Sequence, residues 1–260
     1  MRAIAIMYHD VVEGANEAAS GFVSADANLY KLTCEQFDAH IRALMKSLKI
    51  KPSRIVDDEK PAQPLFITFD DGGRSAYTHI APQLEKQNWL GHFFIATDYI
   101  DTPTFLSSDE IRELNKRGHV VGSHSASHPL RFAACSQDEM LREWRVSIER
   151  LSDILQEKVS VASIPGGLYS KQVAETASRA GIKKLFTSEP TTKTWQVEET
   201  ICFGRYTIQR QTSAETVAAI ARGEITPRLQ QFLFWNAKKV VKTLGGGAYL
   251  KFRERLLAKN

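Results

Sequence analysis

Two adjacent acids, Asp70 and Asp71, end the apolar run Leu65-Phe66-Ile67-Thr68-Phe69, and two histidines four residues apart, His124 and His128, follow some fifty positions later. The run reads as a buried strand. Neighbours on a strand point to opposite sides, so one acid can hold a metal while the other reaches a bound water. The four-residue spacing brings both imidazoles onto one face, through a helical turn or a tight loop. One carboxylate and two imidazoles make three protein ligands with a position left for water. That is the pattern of a hydrolytic rather than a structural metal site. Read singly, the acids fit an Asp-Gly turn and the histidines a surface pair; read together they fit chemistry better.

Such side chains need a scaffold, and strand-like and helix-like segments alternate along most of the chain, the signature of a largely parallel α/β fold. Residues 3–8, 65–69, 92–96, 119–122, 161–164 and 184–187 read as strands. Thr33 with Gln36, Ser107 with Glu110 and Ser136 with Glu139 are capping-box pairs that open helices. Phe37, Ile41, Leu44 and Leu48 follow the first at helical spacing; Met140, Leu141, Trp144, Ile148, Leu151 and Leu155 follow the last. Tyr77, Ile80 and Leu84 mark another helix, Gly118 a helix end, and one more helix closes near Gly181. After Cys202 come an extended segment, 203–209, and then helices. Segments 13–30 and 190–199 read as loops, and Gly245-Gly246-Gly247 as a joint. Side chains at the C-terminal ends of parallel strands converge on one face, and His9, Asp70 and His124 all occupy such ends.

The bulk properties are those of a globular protein: 260 residues, 43% hydrophobic and 25% charged, with no apolar run near the roughly 20 residues that span a bilayer. The opening segment is too short in apolar residues for a signal peptide, and Cys34, Cys135 and Cys202 form no paired framework. The expected compartment is therefore the cytoplasm. The net charge of +4 is uneven: residues 228–260 hold eight basic side chains against Glu254, a balance of +7, which leaves −3 for the rest. A basic tail of this kind suits contact with an anionic surface, such as the inner membrane face, as well as it suits a solvated helix.

Thr68-Phe69-Asp70-Asp71-Gly72 with His124-x-x-x-His128 resembles the polysaccharide deacetylase superfamily, the NodB-homology group of carbohydrate esterases; Tyr8-His9-Asp10-Val11 resembles the opening strand of its exopolysaccharide-type branch. The resemblance covers residues 1–210. It implies an α/β fold, a distorted (β/α)7 barrel, assigned to 1–226; the residues themselves read 227–260 as a basic helical extension on or beside it. It also implies a divalent metal, zinc first, held by Asp71, His124 and His128, with Asp70 as general base. The later motifs depart from the family. Ser163-Ile164-Pro165-Gly166-Gly167 stands where Arg-x-Pro-aromatic is usual, so Ser163 replaces the arginine, while Pro165, Gly166 and Gly167 keep the substrate and oxyanion loop. Glu189 lies where an Asp-x-x-Asp-Trp motif is usual. All seven histidines lie in the first half, so no late histidine can protonate the leaving amine; His9 is the first substitute and Glu189 the second. Arg205 is the candidate for the missing arginine beside Asp70.

The resemblance thus implies a metal-dependent hydrolase that removes N-acetyl groups from a sugar, an oligosaccharide or a lipid-linked glycan; peripheral membrane contact is expected from the charge of the tail, and no nucleic-acid partner is expected. Two alternatives stand beside it: hydrolysis of a non-sugar C–N bond, as in the allantoinase-like branch, and a degenerate glycan-binding protein.

Overall fold

The computed structural model describes residues 1–14, 16–49, 51–59 and 61–237; the glycine joint at 245–247 and the basic residues beyond 237 lie outside them. In chain order the elements are β1 (Ile4–Tyr8), β2 (Val11–Val12), α1 (Ala25–Asn28), β3 (Leu32–Thr33), α2 (Cys34–Ser47), β4 (Leu65–Phe69), α3 (Ala81–Glu85), β5 (His92–Ile95) and α4 (Ser108–Lys116). Then come β6 (Val120–Ser123), α5 (Gln137–Leu155), β7 (Val161–Ser163), α6 (Lys171–Arg179), β8 (Lys184–Phe186), β9 (Thr194–Val197), β10 (Thr200–Phe203), β11 (Tyr206–Thr207) and α7 (Ala214–Ala221). A last helix, α8, covers 225–237.

Nine strands form one curled sheet in the order β11-β1-β4-β5-β6-β7-β8-β10-β9. Every pairing is parallel except the β9–β10 hairpin. Residues 1–3 turn back to 192–194, with Ala3 N–H donating to the Thr192 carbonyl at 2.9 Å, which curls one edge toward the other. The loop expected over 190–199 therefore contains a strand. The one expected over 13–30 contains α1 and a short 3₁₀ turn, Glu17–Ala19. The helix after Asp71 starts as a π-helical turn, Ala76–Ile80, before α3.

Alternation along the strands sorts side chains into two sets. Ile4, Ile6, Tyr8, Leu65, Ile67, Phe69, Phe93, Ile95 and Val121 pack outward against Phe37, Ile41 and Leu44 of α2 and Ile111 and Leu114 of α4. Ala3, Ala5, Phe66, Phe94, Val120, Val161, Phe186 and Phe203 fill the inside. Phe66, Phe94, Phe186 and Phe203 meet at ring separations of 5.1 to 5.8 Å and plug the curl. With a side-chain period of two, the next inward positions above this plug are Thr68 then Asp70, His124, Ser163 and Arg205. The apolar floor and the polar layer over it are one register.

All three capping boxes close: Ser107 N–H donates to Glu110 Oε2 at 2.8 Å and Glu110 N–H to Ser107 Oγ at 3.2 Å, with equivalent pairs at Thr33/Gln36 and Ser136/Glu139. Each contributes about 1 kcal/mol toward fixing a helix start.

Candidate metal and hydrolase site

His9 follows β1, Asp70 and Asp71 follow β4, His124 follows β6, Ser163 ends β7, Thr187 follows β8 and Arg205 follows β10. Six strands thus deliver groups to one rim, Thr187 through its main-chain carbonyl and the others through side chains. Asp71 adopts φ +77°, a left-handed conformation that swings its carboxylate toward the histidines. Gly73, two residues on, must be glycine: a Cβ there would come within 2.0 Å of Asp10 Oδ1. The buried Asp10 carboxylate accepts Ser20 Oγ–H at 2.6 Å and Ser75 Oγ–H at 2.7 Å, tying the 13–22 loop to the chain after Asp71.

The histidine pair stands on a loop, not a helical turn. Ser125 and His128 are both left-handed, at φ +65° and +54°. Glu143 of α5 holds that loop: its carboxylate accepts the N–H groups of Ala126 at 3.0 Å and Ser127 at 2.8 Å, and Ser127 Oγ–H at 2.8 Å.

Asp71 Oδ1 lies 3.4 Å from Nε2 of both His124 and His128. That is long for a hydrogen bond, yet two ligands bonded to one tetrahedral ion at about 2.0–2.1 Å stand about 3.3 Å apart. Among the described residues, Asp71, His124 and His128 form the group able to hold a metal ion, with donor atoms within 4.8 Å of one another. Burial drives the His128 imidazole down to about 4, against the pull of Asp71, so it is neutral near pH 7 and has a lone pair to donate. Burial opposes ionisation of Asp71, but the surrounding histidines, His124 first and then His9 and His128, outweigh it and hold the carboxyl well below its usual range. Oxygen and imidazole donors of this kind suit a divalent ion.

Asp70 is a different carboxylate. Arg205, fully buried, grips it with two parallel bonds of 2.7 Å, Nη1 to Oδ1 and Nη2 to Oδ2. Ser163 Oγ–H adds a third to Oδ1 at 3.1 Å. Oδ1 is then saturated, whereas Oδ2 keeps a lone pair facing the ligand group, 3.9 Å from His124 Nε2. Burial raises the Asp70 carboxyl; Arg205, with His124, more than reverses it, and the group is ionised. Arg205 is itself fixed by Thr187 O at 2.9 Å, by Thr68 Oγ1 at 3.2 Å and by the Phe94 ring 5.7 Å below.

Ser163 links both halves. The Ser163 carbonyl, 3.1 Å from His124 Nδ1, can only accept, so Nδ1 carries the proton, shared between that carbonyl and Ser163 Oγ at 2.6 Å, and Nε2 is left facing Asp71 with a lone pair to donate. The strand-end rule that picked His9, Asp70 and His124 also applies to Ser163. Glu143 carried no such sequence signal.

His9 packs on Tyr30 at 4.7 Å, its buried Nδ1 has no hydrogen-bond partner, and its charge acts on both Asp70 and Asp71. Glu189 meets this layer through its main chain, its carbonyl accepting Arg205 N–H at 3.0 Å. Pro165–Gly167 forms a tight turn after β7 in which Gly166 and Gly167 have φ +65° and +74°. A Cβ on Gly167 would strike Ser188 Oγ at 2.6 Å and Trp235 at 3.2 Å. Phe22 packs against His128 at 4.8 Å with its ring tilted by 37°, and solvent reaches the layer beside Asp71 and His128, whose side chains are 10% and 15% exposed.

Residues 57–185 match the polysaccharide deacetylase family model. The Bacillus subtilis protein YxkH, named for polysaccharide deacetylation, is 23% identical over 192 residues, 71% of this chain and 64% of that one. Peptidoglycan-N-acetylmuramic acid deacetylase PdaA, also of Bacillus subtilis, is 28% identical over 131 residues, 48% of this chain and 46% of its own length. The chain therefore spans less than two thirds of these relatives. Among solved structures, the Streptococcus pyogenes deacetylase PplD in complex with acetate shares the fold, with a TM-score of 0.66 at 21% identity over 83% of this chain and 96% of that chain. Family model, relatives and fold agree that this chain belongs to the NodB-type polysaccharide deacetylase superfamily.

Proposed function

We propose that this chain hydrolyses the acetamido group of an N-acetylated sugar, releasing acetate and leaving a free amine. The observation that carries the reading is the open lone pair of Asp70 Oδ2 beside the Asp71–His124–His128 donor group. A divalent ion held there, zinc first among candidates, would supply Lewis acidity to the acetyl carbonyl and to the attacking water. Asp70 takes the proton from that water as its oxygen bonds to the carbonyl carbon; Arg205 and Ser163 hold the carboxylate in place. A main-chain N–H of the Pro165-Gly166-Gly167 turn faces the developing oxyanion. His9, with an unpartnered ring nitrogen, gives the amine its proton as the C–N bond breaks, and Glu189 is the second candidate for that role. PplD is described with bound acetate and PdaA by its action on an acetylated amino sugar, which supports the same substrate class here. A free sugar, an oligosaccharide and a lipid-linked glycan are members of that class.

Elemental analysis of the purified chain, with acetate release from an acetylated oligosaccharide by wild type and Asp70→Asn, tests the reading. We expect a bound divalent metal in both and a rate lowered about 10²–10⁴-fold by the substitution. Undiminished activity in Asp70→Asn overturns the base. A folded, metal-bearing chain that frees no acetate from any acetylated sugar overturns the deacetylase.

A further inference from the structure

Helix α8 meets the barrel with its polar side. Gln231 bridges the edge strand β11, accepting Thr207 N–H at 3.1 Å and donating to Thr207 O at 2.9 Å. Arg228 donates to the carbonyls of Glu224 at 2.9 Å and Gly223 at 2.7 Å, and Trp235 lies against Gly167 at the rim of the site. These contacts share one side of the helix. Ile225, Leu229, Phe232 and Leu233 fall on another, at the i, i+4, i+7, i+8 spacing of a single stripe, and are 71%, 49%, 46% and 59% exposed. A single exposed leucine needs no explanation. A continuous apolar stripe on a helix whose polar side is the one packed against the fold does.

The sequence that follows the stripe indicates what covers it. Lys238, Lys239 and Lys242 follow residue 237 in the sequence, and residues 228–260 sum to +7 against −3 for the rest of the chain. A second copy would bring the same positive segment to the contact and be repelled. A soluble anion would use the lysines and leave the stripe in water. An anionic bilayer uses both, taking apolar side chains into the boundary between headgroups and acyl chains and basic ones among the phosphates. Among the described residues no helix is long and apolar enough to cross a membrane.

We propose that the exposed apolar stripe of α8 binds this protein peripherally to an anionic lipid surface. Because Trp235 of α8 abuts Gly167, the membrane then lies next to the rim of the site. The inference stands apart from the deacetylase reading, since binding can be measured with no hydrolysis.

The test is co-sedimentation of the full chain with phosphatidylcholine vesicles and with vesicles containing about one quarter phosphatidylglycerol. The protein should pellet with the anionic vesicles only, and raising salt to about 0.5 M should release much of it. Leu229→Ser, Phe232→Ser and Leu233→Ser together should lower partitioning at least about tenfold while leaving the circular dichroism spectrum unchanged. Failure to pellet with anionic vesicles overturns the proposal. Equal partitioning by the triple variant does so too. A dimer seen by light scattering and dissociated by the same three changes assigns the stripe to a second copy instead.

Discussion

Asp70 and Arg205 form a pair whose value is asymmetric. Both are removed from water, so their mutual attraction is largely offset by lost hydration, while removing one partner strands the other. Arg205→Met should destabilise the fold by about 3–5 kcal/mol, read as a lower urea midpoint at unchanged slope. Arg205→Lys keeps the charge but loses the two-pronged grip, and should recover part of the stability with little of the activity. A loss below about 1 kcal/mol in Arg205→Met would show that water or another cation already compensates Asp70. The sequence singled out Arg205 only because the resemblance left a place for an arginine to fill. Nothing local to Phe203-Gly204-Arg205-Tyr206 says that its guanidinium crosses the curl to a carboxylate 135 positions away. Asp70, Asp71, His124 and His128 were easier to read, because each pair is compact in sequence and ends a strand.

Elements carried local signals where local bonds make them. The capping boxes at Thr33, Ser107 and Ser136 formed as read because each needs only four consecutive residues. The β9–β10 hairpin was missed because β9 is an edge strand, Thr194-Trp195-Gln196-Val197, that buries only Val197 and lacks a clean alternation. Glu143 shows the same limit for the site. It lies on the side of α5 that also carries Met140, Trp144 and Ser147, where a carboxylate looks misplaced until the loop it serves is known. That loop is held on its other side by Thr97 and Asp98, whose N–H groups donate to Ser125 O at 3.1 Å and Ala126 O at 3.0 Å. Glu143→Gln retains one acceptor but replaces ionic bonds with neutral ones, so His128 should lose its fixed aim. Titration calorimetry of the metal-free protein with zinc should show affinity lowered about 10–100-fold. Unchanged affinity would mean that Thr97 and Asp98 alone set the loop.

At the scale of the whole molecule, the floor beneath the site makes the fold sensitive to acid. His92 is wholly buried among the inward aromatics, 5.5 Å from the Phe66 ring and 5.9 Å from Phe186. Its Nδ1–H donates to Ile67 O at 3.0 Å, and Nε2 accepts the N–H of Ile55 at 2.9 Å. That second bond fastens segment 51–59 over the lower end of the curl, and it requires a neutral ring, because a proton on Nε2 would face another donor. Burial takes the imidazole down to about 4; the Ile67 carbonyl and Asp57 pull the other way, while His119 and Arg54 add to the fall. An unfolded histidine titrates near 6.5, so between about pH 6.5 and 4 the unfolded chain binds more protons than the folded one. Stability must therefore fall as pH drops through that window, by about 2–3 kcal/mol from this residue between pH 7.5 and 4.5. His92→Gln removes the titrating group. It should be less stable than wild type at pH 7.5, yet lose about 2–3 kcal/mol less on acidification when both are unfolded in urea across that range. Parallel stability curves for the two proteins would place the acid sensitivity elsewhere and show that His92 accepts a proton without leaving its place in the floor.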